Sequence, residues 1–206
     1  MKRIFHDIDQ VEAREEWLSL RLGRATASNF KTIMANDGKA FGEPAKKYSM
    51  RIALEAETHT QVEDNYVNAA MQRGIDLEPL AREQYEMDSL VEVQNGGFLE
   101  AGYYGGSADG LVGEDGLIEI KSVGYPAHFE RWVNGGFDSA YKWQLQGNIW
   151  LYDRKWIDFV SYCPEFPLTK NLYVCRVDRD EDMIDRLKVR LAAFLIMVDK
   201  YKEALR

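Results

Sequence analysis

Gly105-Gly-Ser-Ala-Asp109-Gly-Leu-Val-Gly113-Glu-Asp-Gly116-Leu-Ile-Glu119-Ile-Lys121-Ser122 reads as one β-hairpin that carries an aspartate, a glutamate and a lysine. Alternation in Leu117-Ile-Glu-Ile-Lys121 puts Glu119 and Lys121 on one face and turns Ile118 and Ile120 into a core. Gly113-Glu-Asp-Gly116 is a turn signal. A hairpin centred on Glu114 sets Asp109 opposite Glu119, with both side chains on one face. A centre shifted by half a residue separates them unless a bulge intervenes. Chemistry at this trio therefore requires an odd-residue loop or a bulge. Two carboxylates beside a lysine on rigid strands suit metal-assisted phosphodiester cleavage. The carboxylates hold a divalent ion that polarises phosphate and generates hydroxide. The lysine orients that hydroxide or neutralises developing charge.

The trio alone is weak. Each charged residue type makes up roughly one residue in sixteen, and the chain supplies decoys in Asp37-Gly38-Lys39 and Asp153-Arg154-Lys155. Neither decoy lies in an alternating strand. The competing reading is a cross-strand ion pair on a solvated face.

At 206 residues the expectation is a single domain spanning 1–206, and 46% hydrophobic content provides for a sizeable core. The net charge of -8 argues against nucleic-acid binding over the whole surface. A nuclease would need its cations focused on one groove or lumen. Cys163 and Cys175 have neither zinc nor redox spacing and read as free thiols. Met1-Lys-Arg-Ile-Phe-His-Asp7 is no signal peptide, and the longest apolar run, Leu191 to Val198, is too short for a bilayer. A soluble, cytoplasmic protein is expected.

Periodicity predicts helices over residues 10–22, 29–34, 44–57, 68–87, 126–133 and 140–152 and over the last 25 or so, with loop at 36–44. Pro79 implies a kink, or a helix that starts near Leu77. Strands are expected at Val91–Val93, Gly97–Tyr104, Ala108–Val112, Leu117–Val123, Lys155–Tyr162 and Leu172–Arg176. This order fits an α/β or α+β sheet flanked by helices.

Other residues join as candidates. Glu78 can supply a third carboxylate, though a helical glutamate is more often at the surface. Gln144 and Gln146 lie on a Trp-rich helix, and a buried glutamine needs partners, catalytic or backbone. Arg21, Arg24, Thr26 and Ser28 cluster at a helix junction that suits a phosphate. Capping by Thr26 or Ser28 beside a solvated arginine explains them equally, and without other evidence it is preferred. His6, His59 and His128 share no metal spacing and are read as surface or supporting residues. Trp132, Trp143, Trp150 and Trp156 are read as core or interface.

Four segments in order strengthen the reading: Trp17-x-x-Leu-Arg21-Leu-Gly-x-x-Thr26-Ala-Ser28, Arg73-Gly-x-x-x-Glu78-x-x-Ala-Arg82, Ser107-Ala-Asp109-Gly-Leu with Leu117-Ile-Glu119-Ile-Lys121, and Tyr141-x-x-Gln144-x-Gln146 with Trp150 beyond. Spanning residues 17–150, they resemble the lambda exonuclease and YqaJ-type phage recombinase nucleases, a branch of the PD-(D/E)xK superfamily. The resemblance implies a restriction-endonuclease-like central mixed β-sheet flanked by helices. It also implies 5′-to-3′ degradation of duplex DNA to mononucleotides, leaving 3′ overhangs.

Carried over by position, Asp109, Glu119, the Ile120 carbonyl and Glu78 would hold one or two Mg²⁺ ions, with Mn²⁺ as a substitute. Lys121 would hold the attacking water, assisted by Gln144. Arg21, Ser28 and Thr26 would grip the 5′ phosphate. Implied partners are duplex DNA ends, a single-strand annealing recombinase and two further copies in a trimeric ring, whose basic lumen would reconcile the acidic charge. The implied setting is the cytoplasm of a bacterial host cell. Pro79 beside Glu78 departs from the pattern, and the short loop after Ser28 holds only Lys39 as a cation. The alternatives are a structure- or sequence-specific endonuclease on the same fold and a non-catalytic DNA-binding scaffold.

Overall fold

A computed structural model describes residues 2–9, 12–37, 39–62 and 69–206. The starts expected at residues 10 and 68 for two helices, and Gly38 of the first decoy, lie outside the described residues.

The hairpin strands are β6 (Gly110–Val112) and β7 (Gly116–Ser122). They pair Gly110 with Ile118, Leu111 with Leu117 and Val112 with Gly116, a register centred on Glu114. The three-residue loop starts at Gly113, whose φ of +55° is left-handed and costs a glycine little. The odd loop that the trio requires is therefore present.

Strands β3 (Val93–Gln94), β8 (Trp156–Tyr162) and β9 (Leu172–Asp178) complete a mixed sheet in the order β3-β6-β7-β8-β9. Only the β7–β8 pair in it is parallel. A second mixed sheet has the order β1-β4-β5-β2, with β1 Ile4–His6, β2 Ala25–Thr26, β4 Phe98–Ala101 and β5 Tyr104–Gly106. The single strand expected over 97–104 is instead two, because Gly102, at φ +69°, turns the chain between Ala101 and Tyr104. Strand β1 has no counterpart in the sequence reading. Its three residues carry too short a pattern to register.

The helices are α1 (Arg14–Arg21), α2 (Phe30–Met34), α3 (Glu43–Thr58), α4 (Ala69–Ser89), α5 (Tyr125–Asn134), α6 (Lys142–Tyr152) and α7 (Glu181–Glu203). Contrary to the start near Leu77, α4 runs through Pro79. The proline removes the N–H that the Ile75 carbonyl would otherwise use. No helix among the described residues is long and apolar enough to cross a membrane.

Strand β7 separates two apolar clusters. Leu117 joins Leu145 and Ile149 of α6, with Phe30, Phe159 and Phe194. Ile118 and Ile120 join Ala81 and Tyr85 of α4, with Val160 and Tyr162 of β8. Since Glu119 shares Leu117's face, it points toward α6, and α4 covers the opposite face.

Behind α4, Asp158 is 3% exposed. It accepts from the Tyr85 hydroxyl at 2.8 Å and from the Arg176 guanidinium at 2.9 Å twice. Asp158→Ala is expected to destabilise the fold by about 1–3 kcal/mol, because it strands a buried hydroxyl. Urea denaturation measures this, and an unchanged midpoint would refute it. His128, read as a surface or supporting residue, is fully buried. Its Nδ1 is 2.9 Å from the Ser161 hydroxyl and its Nε2 is 2.8 Å from the Lys170 carbonyl, so it ties α5 to β8. Trp143 and Trp150 are core residues, as expected.

Candidate active site

A cleft of about 530 Å³ opens where β7 ends, bounded by α1, α4 and the start of α6. Asp109, Glu119, Ile120, Lys121, Gln144 and Glu78 all line it, as do Arg21 and Ser28.

Glu119 is 1% exposed, which excludes the solvated ion pair. Its Oε1 accepts from Lys121 Nζ and from Gln144 Nε2, both at 2.5 Å. Its Oε2 accepts from Asn148 Nδ2 at 3.2 Å. Burial and the charge of Asp109 push the Glu119 carboxyl up to about 7, against the pull of Lys121 and Asn148. Burial works to lower Lys121, but Glu119 and Asp109 outweigh it and hold the ammonium above its ordinary value.

Asp109 Oδ2 accepts from the Ile120 N–H at 2.6 Å, and the Asp109 N–H donates to the Ile118 carbonyl at 3.1 Å. The side chain thus continues the ladder where β6 has ended. The N–H and C=O of a strand residue point to the same edge, so the Ile120 carbonyl is directed toward Asp109. Two repelling carboxylates and a carbonyl, all hard oxygens, fit a divalent cation such as Mg²⁺. Glu78 lines the same cleft. No set of three or more acidic, histidine or cysteine side chains gathers closely enough for a metal among the described residues. Glu78 lies 3.6 Å from Arg82, which donates to the Asp109 carbonyl at 2.5 Å.

Gln144 and Gln146 part company. The Gln146 side chain donates to the Asp178 carbonyl at 2.7 Å and accepts from the Asp180 N–H at 2.9 Å, a purely backbone role. Asn148 was not anticipated, although it lies one turn from Gln144 and shares its helix face. It also donates to the Ser107 carbonyl at 3.0 Å.

At the other end of the cleft, Arg21 donates to Ser28 Oγ at 3.1 Å and to Thr26 Oγ1 at 3.4 Å. Neither hydroxyl caps a helix, so the capping explanation gives way. Ser28 faces the cleft. Thr26 is 3% exposed and lines a neighbouring cavity of about 230 Å³ with Arg24 and Arg51. The Arg21 guanidinium lies 4.2 Å from the Trp17 ring centroid, and Trp17 Nε1 donates to Ser107 Oγ at 2.8 Å. Burial lowers Arg21 to about 10, with Arg14 and Arg51 adding to the shift and Tyr48 and Glu119 opposing it. It stays charged at neutral pH under cationic repulsion, an environment that an anion relieves.

The Glu119 shift has a measurable consequence. Its folded value exceeds the ordinary value of 4.5, so between those limits the folded state holds a proton that the unfolded chain has released. Its stabilising contribution is full at low pH and is lost as pH rises toward about 7. Urea midpoints of cation-free protein should carry this loss. Glu119→Gln should flatten it, and an unchanged slope would dismiss the assignment.

A mixed sheet presenting two acids and a lysine to a cleft shared with Arg14 and Arg21 defines an α/β protein with the fold of solved exonucleases. The alkaline exonuclease LHK-Exo from Laribacter hongkongensis superposes with a TM-score of 0.83 and 33% identity, covering 93% of this chain and 95% of that one. The structure of LHK-Exo in complex with dAMP gives the same TM-score and coverage at 34% identity. A phage related exonuclease from Haemophilus somnus 129PT shares the fold, with a TM-score of 0.71 and 18% identity over 89% of this chain and 96% of its own. No curated protein matches the chain. The model of the YqaJ-like viral recombinase domain matches residues 16–155, and the chain belongs to that family.

Proposed function

We propose that the chain is a Mg²⁺-dependent exonuclease. It degrades linear duplex DNA from the 5′ end, releases 5′-mononucleotides and leaves 3′ single-stranded overhangs for recombination by strand annealing. The observation that carries this reading is one cleft holding Asp109, Glu119 and Lys121 at one end and Arg21 with Ser28 at the other. The same residues on a solvated face would support only an ion pair.

A divalent cation, when bound, supplies Lewis-acid polarisation of the scissile phosphate. Asp109, Glu119, the Ile120 carbonyl and Glu78 would hold it, in one or two copies, and Mn²⁺ would substitute. Gln144 and Asn148 fix the Glu119 carboxylate through its two oxygens. Lys121 orients the attacking water and neutralises charge on the phosphate oxygens. Arg21 and Ser28 grip the terminal 5′ phosphate, and buried Thr26 sets the guanidinium from behind. Glu78 also pairs with Arg82, which donates to the Asp109 carbonyl. The dAMP bound by LHK-Exo supports a nucleotide-sized site in this fold. A homotrimeric ring around DNA, an annealing recombinase as partner and a cytoplasmic location complete the proposal.

Linear duplexes with and without a 5′ phosphate, together with a closed circle, test it in Mg²⁺ and in EDTA. Mononucleotide release from the phosphorylated linear duplex in Mg²⁺ alone is expected. Cutting of the closed circle would instead identify an endonuclease. DNA binding without hydrolysis even in Mg²⁺ would identify a scaffold.

A further inference from the structure

Two glycines lie inside helices among the described residues, Gly147 in α6 and Gly74 in α4. A glycine inside a helix is destabilising relative to alanine, so each needs a cause. Gly147 has an internal one: a Cβ there would meet the Phe30 ring at 2.5 Å. Gly74 has none. Its φ is not left-handed, and a Cβ would meet nothing within 4 Å among the described residues. It is half-buried all the same, because it lies on the wall of the cleft that holds Asp109, Glu119 and Lys121. It also precedes Ile75, whose carbonyl Pro79 deprives of a helix donor, so two residues that disfavour helix act at this one turn.

We propose that Gly74 is a clearance residue: the sugar–phosphate backbone of bound DNA passes against α4 at this turn, in the space a side chain would occupy. This rests on the nucleic-acid reading of the cleft and adds a specific contact to it. The cause of the glycine lies outside the chain, in the ligand. The cleft is walled opposite by Arg14, Trp17 and Arg21, which suit a phosphate-bearing strand. Side chains at position 74 would therefore oppose DNA while leaving the fold unharmed.

Stability and binding should then move in opposite directions. Gly74→Ala should raise Tm by about 2–4 °C through helix propensity while weakening the binding of a 5′-phosphorylated duplex. Gly74→Leu should fold normally and weaken binding about tenfold or more, the effect of overpacking an occupied space. Both are read by fluorescence anisotropy in EDTA and by the separate KM and kcat of digestion, with the loss expected in KM. A simple packing role would lower Tm instead. Leucine binding DNA as tightly as glycine would overturn the inference and leave the nuclease reading standing. Failure of the wild-type chain to bind DNA at all would overturn both.

Discussion

Lys121→Ala should lower the rate of duplex digestion by about 10²–10³-fold or more, the loss seen when one preorganised charge-stabilising group is removed, with the 5′ phosphate still bound. Lys121 donates to Glu119 at 2.5 Å, and its ammonium lies 5.2 Å from the Tyr141 ring centroid. Its place in the cleft is therefore set by two neighbours. Asp109→Asn should act as severely by another route, since it removes one of two adjacent negative charges and with it the field that favours a divalent cation. The amide oxygen can still accept from Ile120, so the fold should survive. Single-turnover digestion, Mg²⁺ titration by calorimetry and DNA anisotropy separate the two variants. Lys121→Ala should spare both binding measurements, and Asp109→Asn should lose the cation. If Lys121→Ala kept more than a tenth of the wild-type rate, the role given to the lysine would be wrong.

Arg21→Ala should erase discrimination between 5′-phosphorylated and 5′-hydroxyl ends. The wild type is expected to prefer the phosphorylated end by about 10–150-fold, the equivalent of about 1.5–3 kcal/mol for hydrogen bonds to a charged group. The arginine is stacked on Trp17 and braced by Thr26 and Ser28, so it is held in place before any phosphate arrives. Arg21→Lys should restore only part of the preference, because an ammonium lacks the planar fork and the stacking face. Competition between two differently labelled duplexes reads this directly. A preference that persists in Arg21→Ala would place the phosphate elsewhere, with Arg24 and Arg51 of the neighbouring cavity as the next residues to replace.

The hairpin was the most legible part of the chain. Its period of two and its glycine-bounded turn are local properties, and they set the faces of Asp109, Ile118, Glu119, Ile120 and Lys121 before any tertiary contact is known. Long helical patterns were legible for the same reason, and α7, where a helix was expected over the last 25 or so residues, buries Ile184, Leu187, Leu191, Phe194 and Val198 on one face. Short elements were not. Strands β1 and β2 have three and two residues, too few for a pattern, and they exist because other strands hold them.

Tertiary structure alone decided which of two similar residues acts. Gln144 and Gln146 are equivalent by composition, but helix rotation aims one at Glu119 and the other at the backbone before α7. Glu78 shares the cleft with the other two acids, a placement that the packing of α4 decides. Thr26 and Ser28 satisfy the rules for helix caps, and only the fold turns their hydroxyls to Arg21. The physical division is one of range. Side-chain alternation and turn preference act over a few residues and are written in the chain. Which helix covers which face of a strand depends on contacts far apart in sequence, and those contacts gathered a weak acid–acid–lysine trio around a buried glutamate at one cleft.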